Sequence, residues 1–217
     1  MTPRSSLISS ALSDYVVAHT EAPDEVMAAL IAETAAMPEV NMQIGSDQAA
    51  FMTLLARSVG ARRAIEIGTF TGLSALAVAR ALPEDGSLLC CDINAEWTAI
   101  GRRHWERAGV SDRIELRIGP AAETLAALPE QPTYDFAFVD ADKTGYAGYV
   151  AALYPLMKTN ALVLLDNMLR GGRVLRTAET SADDEAVIAL NDGLIADNRW
   201  ETVLLPIADG LTLLRKR

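Results

Sequence analysis

Phe138-Val139-Asp140-Ala141-Asp142-Lys143 and Leu164-Leu165-Asp166-Asn167 decide how this chain is read. Each is an apolar, β-prone run that stops abruptly on acid or amide oxygens. In a parallel sheet such runs end at one edge, where ligands bind. Asp140, Asp166 and Asn167 would then offer hard oxygen ligands to one divalent cation, with Lys143 close beside them.

Outward from these stretches the chain alternates. Ala64 to Gly68 reads as a buried strand, followed by a glycine-containing turn and a helix from Leu73 to Leu82. Ser87 to Asp92, Arg113 to Ile118, Tyr134 to Asp140 and Ala161 to Asp166 read as further strands. Between them lie helices over Asn94 to Ala108, Ala121 to Leu128 and Gly145 to Met157. Such alternation implies right-handed crossovers and a mostly parallel sheet. After a helix from Asp183 to Ala196, the runs Trp200 to Pro206 and Leu211 to Leu214 flank Ala208-Asp209-Gly210. Asp-Gly between β-prone runs signals a hairpin, so the sheet should finish on an antiparallel strand. Upstream, Ser10 to Val17, Asp24 to Met37 and Ser46 to Val59 carry helical spacing, with Asp24 and Ser46 as candidate caps. Residues 1–59 are thus read as a helical cap on an α/β core over 60–217, in a single domain.

The bulk properties narrow the function. A length of 217 residues suits one α/β domain, and a hydrophobic fraction of 50% suffices for a sizeable core. The formal net charge of −10 argues against a nucleic-acid partner, which calls for a basic stripe. Arg102, Arg103 and Arg107 read as a solvated helix face. Cys90 and Cys91 are adjacent in a strand and point to opposite faces, so a disulfide between them is not expected. They suit a reducing compartment. With no signal-peptide core and no run of membrane-spanning length, the chain is expected to be cytoplasmic and free of membrane.

Glu66-Ile67-Gly68-Thr69-Phe70-Thr71-Gly72 joins the first strand to its helix. Gly68 allows a tight turn and a close ligand approach. The spacing is G-x-x-x-G, without the middle glycine that admits a pyrophosphate in dinucleotide enzymes. Glu66 would repel a phosphate and favour a cationic ligand. Asp92, ending the second strand, can accept both hydroxyls of a ribose. An adenosine-bearing, phosphate-free cation fits this set, namely S-adenosylmethionine. Strand-end capping is the plainer role for Glu66 and Asp92.

Taken together, Glu66-Ile-Gly-Thr-Phe-Thr-Gly72, Gly119-Pro120-Ala121, Phe138-Val-Asp-Ala-Asp-Lys143 and Asp166-Asn167 resemble the cation-dependent class I O-methyltransferases. That group includes the caffeoyl-coenzyme A O-methyltransferases and, more distantly, catechol O-methyltransferase. The resemblance implies an α/β, Rossmann-like methyltransferase fold. Its sheet would be seven-stranded and mostly parallel with an antiparallel last strand, helices on both faces, and extra N-terminal helices. It further implies that Met42, Ile44, Glu66, Gly68, Thr69, Ser74, Asp92, Ala121 and Asp140 surround S-adenosylmethionine. Asp140, Asp166 and Asn167 match the metal ligands, and Lys143 matches the general base. A homodimer is expected on the same ground alone. Ile44 replaces a frequent Thr or Ser, and Arg170-Gly171-Gly172 stands where many relatives have Trp followed by Ser or Asn. Arg4 stands where plant relatives carry a basic residue for coenzyme A phosphates.

The chemistry fits such a set. A phenol is mostly protonated at neutral pH, and a divalent ion holding vicinal oxygens would lower its pKa and fix the ring. All-oxygen donors point to Mg²⁺ first, with Ca²⁺ or Mn²⁺ as alternatives, and no His or Cys accompanies them to favour zinc. Lys143 is the candidate to accept the phenolic proton. Spacing alone leaves Asp140, Asp166 and Asn167 equally good as helix caps. Asp142 divides evenly between an outer metal partner and a surface acid. Trp97, Tyr146 and Tyr149 lean towards core packing, and His19 and His104 towards packing or surface. The expected acceptor is a small aromatic molecule with vicinal hydroxyls. An NAD-linked oxidoreductase on a similar sheet and a non-catalytic cofactor-binding protein are the alternatives.

Overall fold

A computed structural model describes residues 7–177 and 179–217. Three helices come first: α1 (Ser10–Ala18), α2 (Glu25–Thr34) and α3 (Ser46–Ser58). The alternating part follows as β1 (Arg63–Ile67), α4 (Leu73–Ala81), β2 (Ser87–Asp92), α5 (Ala95–Arg107), β3 (Ile114–Ile118), α6 (Ala121–Ala126), β4 (Tyr134–Val139), α7 (Tyr146–Leu156) and β5 (Met157–Leu165). α8 (Ala182–Ala196), β6 (Trp200–Leu205) and β7 (Leu211–Lys216) complete the order. One seven-stranded sheet runs β3-β2-β1-β4-β5-β7-β6. Strands β1 to β5 pair in parallel, and β7 is antiparallel to both β5 and β6. The antiparallel finish expected from Asp209-Gly210 is therefore present.

Side-chain alternation builds two apolar layers, one on each face of the sheet. Cys90, Phe136, Phe138 and Leu164 pack with Leu30 of α2, Met52 of α3, Leu76 of α4 and Trp105 of α5. Cys91, Ala137, Val139 and Leu165 pack with Leu125 of α6, Leu153 of α7 and Val187 of α8. The neighbouring cysteines are both free and buried on opposite faces, as their spacing predicts. No helix among the described residues is long and apolar enough to cross a membrane.

Several boundaries differ from expectation for local reasons. β5 starts at Met157 rather than Ala161, because Asn160 (φ 68°) lets the strand bulge. The β4–β5 register shifts there between Tyr134 and Phe136. α7 stops at Leu156, just after Pro155. Ser46 does not cap α3; Gly45 holds that position and offers no side chain. Asp24 does cap α2, accepting from Met27 N at 2.9 Å.

The order places a switch point between β1 and β4, where the chain leaves the sheet in opposite directions. Gly68 (φ +86°) turns there, and a Cβ on it would lie 1.9 Å from the Asp140 carbonyl oxygen. Gly68→Ala should lower stability by roughly 1–3 kcal/mol from the backbone conformation alone, with the overlap adding more. Urea unfolding followed by circular dichroism checks this. A midpoint equal to wild type would contradict it.

Candidate active site

Beyond the last residues of β1, β2, β4 and β5 the backbone keeps bonding across strands. Gly68 N donates to Cys91 O (2.9 Å), Asp140 N to Ile67 O (2.8 Å) and Asp166 N to Val139 O (3.0 Å). Three turns are thereby aligned at one sheet edge, and a cavity of about 780 Å³ opens above them. Met42, Ile44, Gly68, Thr69, Ser74, Asp92, Ala121, Asp140, Lys143, Asp166 and Asn167 all line it. The structure thus brings together residues from the N-terminal helices to β5, and one expected member stands apart.

That member is Glu66, which lies under the turn, 1% exposed and outside the cavity wall. Its Oε2 has no hydrogen-bond partner among the described residues. Burial pushes its carboxyl up to about 8, and the charges of Asp92 and Asp140 push the same way. The nearby Ser74 and Thr69 hydroxyls oppose this only in part. At neutral pH Glu66 is therefore largely protonated. The expected direct contact with a cofactor is not available from the wall as it stands.

Asp92 does what a strand-end cap does. Its Oδ2 accepts from Thr69 N and Phe70 N, both at 2.8 Å, and its Oδ1 from Asn94 N at 2.8 Å. The acid thereby shapes the glycine turn; Oδ2 is filled by its two bonds, and Oδ1 keeps a further lone pair. Phe70 meets Trp97 edge to face at 5.2 Å. Trp97 lines the cavity and is only half-buried, which corrects the expectation that it belongs to the core. Tyr149 serves both roles: it packs against the core, as expected, and also lines the cavity, donating to Asp142 Oδ1 at 2.6 Å. That bond makes Asp142 the partner of a tyrosine.

Lys143 lines the same cavity and is nearly buried, with 8% of its side chain exposed. Its Nζ donates to Asp140 Oδ1 at 2.9 Å and to Tyr146 OH at 2.7 Å. Tyr146 is fully buried, as expected of a core residue, and its hydroxyl lies 3.1 Å from both Val139 O and Asp166 O. It therefore ties the ends of β4 and β5 to the lysine. Asp166 is 2% exposed. Burial first, and then the charge of Asp140, raise its proton affinity. Gln48 of α3 donates to Asp166 Oδ2 at 2.8 Å, and Asn167 N donates to Oδ1 at 2.7 Å. Asn167 itself takes a left-handed backbone (φ 57°), a conformation asparagine tolerates better than most residues.

Among the described residues no group of three or more His, Cys, Asp or Glu side chains is placed to hold a metal. The candidate set has two carboxylates and one carboxamide. His104 is buried against Glu33 at 2.9 Å and His19 stacks on Tyr15, neither in the cavity wall. Arg4 lies outside the described residues.

A family model described as O-methyltransferase matches residues 17–217. The chain belongs to this O-methyltransferase family. A probable caffeoyl-CoA O-methyltransferase 2 of Dictyostelium discoideum is 38% identical over 215 residues, covering 95% of this chain and 92% of that protein. A caffeoyl-CoA O-methyltransferase of Petroselinum crispum is 39% identical over 225 residues, covering 98% and 93%. Among solved structures, an O-methyltransferase of Streptomyces achromogenes involved in tomaymycin synthesis, in complex with SAM, superposes with a TM-score of 0.84. It is 26% identical and covers 95% of this chain and 96% of its own. Family membership sets aside the oxidoreductase alternative.

Glu66 carries a stability prediction. Below about pH 4.5 its carboxyl is protonated whether the chain is folded or not. As pH rises further the unfolded chain ionises first, so this contribution to stability falls until the folded group ionises near 8. Glu66→Gln removes the dependence. The melting temperature of the variant relative to wild type should climb steadily from pH 5 to 8. A constant difference across that range would refute the assignment.

Proposed function

We propose that the chain moves a methyl group from S-adenosylmethionine to a hydroxyl of a vicinal dihydroxyaromatic molecule, assisted by a divalent cation. One observation carries this reading. Asp140, Lys143, Asp166 and Asn167 line one cavity together with the Gly68 turn, which Asp92 holds through Thr69 N. A volume of about 780 Å³ suits a nucleoside-sized donor with a small acceptor.

The residues fit a hard cation. Burial and the nearby charge of Asp140 raise the proton affinity of Asp166, and Lys143 is ion-paired to Asp140. Two carboxylates and the Asn167 carboxamide form an all-oxygen set suited to Mg²⁺, with Mn²⁺ or Ca²⁺ as alternatives. When bound, the ion supplies positive charge that makes a phenolic hydroxyl more acidic and fixes two adjacent oxygens.

The remaining work belongs to the chain. The Gly68 turn and Asp92 hold the donor's nucleoside, while Met42 and Ile44 exclude water around the transferred methyl. The acceptor's hydroxyl oxygen attacks that methyl carbon as the carbon–sulfur bond breaks, and the electron pair returns to sulfur. Nζ of Lys143, which bonds to Tyr146 OH, first gives one proton to solvent so that a lone pair is free, and its neutral amine then takes up the hydroxyl proton. Holding the two reactants in line can account for much of the acceleration.

Catechol with S-adenosylmethionine and Mg²⁺ should yield a monomethyl ether and S-adenosylhomocysteine, followed by liquid chromatography. Excess EDTA should abolish turnover, and Asp140→Ala and Asp166→Ala should do the same. Full turnover in EDTA would remove the cation from the mechanism. Lys143→Met should lower kcat by about 10²–10⁴-fold, the usual range for a lost proton acceptor. A loss under about tenfold would assign Lys143 to positioning rather than proton transfer.

A further inference from the structure

Arg170, Gly171 and Arg173 bring the stretch from Met168 to Arg176 to the cavity wall, and its backbone takes an uncommon shape. Positive φ values occur at Arg170 (51°), Gly171 (60°), Gly172 (88°) and Arg176 (52°). The β6–β7 hairpin tip pins the stretch. Met168 N donates to Gly210 O at 2.9 Å, Leu169 N to Asp209 O at 2.9 Å, and Gly171 N to Asp209 Oδ1 at 2.6 Å. A Cβ on Gly210 would lie 2.7 Å from Leu169 N, so the fit leaves no slack.

Two arginines of this stretch, Arg170 and Arg173, line the same cavity as Lys143. Nε of Arg170 donates to Asp184 Oδ1 at 2.8 Å, and Nε of Arg173 lies 3.1 Å from both Asp184 oxygens. Asp184 is buried and also accepts from Ser181 N and Oγ at 3.0 and 2.8 Å. Arg170 has one further acid, Asp183, at 3.8 Å and half-exposed. A single close carboxylate thus orients two guanidinium groups without satisfying them. Nη1 of Arg170 and both Nη atoms of Arg173 donate to none of the described residues. Arg173 Nη1 stands over Gly171, which also lines the cavity, 3.4 Å from where a Cβ would be. In a chain of net charge −10, two fixed cations in the cavity wall run against the overall charge.

We propose that the acceptor carries a free carboxylate, received by the guanidinium forks of Arg170 and Arg173 while its vicinal hydroxyls face Lys143. Guanidinium matches a planar carboxylate with paired, charge-assisted hydrogen bonds. Because Asp184 and the hairpin tip already order the forks, little further ordering is needed on binding. The inference rests on the proposed function for the vicinal hydroxyls and their place at Lys143, and on Arg170 and Arg173 for the carboxylate.

The test compares 3,4-dihydroxybenzoate with its neutral carboxamide, titrated calorimetrically into protein with S-adenosylhomocysteine and Mg²⁺. The acid should bind about tenfold or more tighter, as expected for a charge-assisted pair. In Arg170→Gln/Arg173→Gln the ratio should collapse towards one. Equal affinities in the wild type would overturn the inference, and need no variant to do so. A preference for the acid that survives in a variant with wild-type circular dichroism would overturn it too. Turnover of plain catechol decides the methyl-transfer reading separately: methylation of catechol with equal binding of acid and amide removes only the carboxylate subsite.

Discussion

Mutual repulsion among acids at one sheet edge is the constraint on which the site depends. Glu66, Asp92, Asp140 and Asp166 sit at or next to the carboxyl ends of β1, β2, β4 and β5. Each is handled differently. Three backbone N–H groups hold Asp92, Lys143 holds Asp140, and Gln48 with the Asn167 amide holds Asp166. Glu66 has no such partner on Oε2 and keeps its proton instead. The unliganded edge is thus electrostatically loaded, and a sulfonium donor and a divalent cation are the species that would relieve it. The same charges that repel one another would favour the proposed ligands.

The strand pattern was legible because parallel strands are short apolar runs ending abruptly on polar residues. Those same endings exposed Asp92, Asp140, Asp166 and Asn167 as a set, and the cavity wall now holds all four. Asp209-Gly210 announced the antiparallel finish. What stayed hidden depends on contacts distant in sequence. Gln48 reaches Asp166 across 118 residues, and nothing in the helical pattern around Ser46 marks it. The bulge at Asn160 arises from pairing with β4, which a single strand cannot reveal. Tyr146 could have been found, since Lys143 and Tyr146 are three residues apart and side chains at that spacing meet. Trp97 was misjudged because an aromatic on a helix face reads the same whether it fills a core or walls a cavity.

Glu66 shows why motif and geometry can separate. Its place in the Glu-Ile-Gly turn makes it look like a ligand for a cation, whereas the structure buries it beneath Gly68. The two views are compatible if a ligand's positive charge reaches it through the turn, where a proton held near 8 could be given up. Gly68 makes this approach feasible, because a side chain there would collide with the Asp140 carbonyl.

Chemistry and selectivity rest on separate supports. The acids and Lys143 belong to strand ends fixed by the parallel ladder, which moves only if the sheet does. Arg170 and Arg173 belong to a connection braced by the β6–β7 hairpin tip and by Asp184 at the start of α8. Substitutions in that connection can therefore alter what is admitted without disturbing the oxygen set on which the proposed reaction depends. The two supports touch at Asn167 and Met168, where the strand-end turn hands the chain to the hairpin tip. A methyltransferase built this way can keep one reaction while exchanging acceptors. On the proposed reading, Arg170 and Arg173 are where such an exchange would be made in this chain.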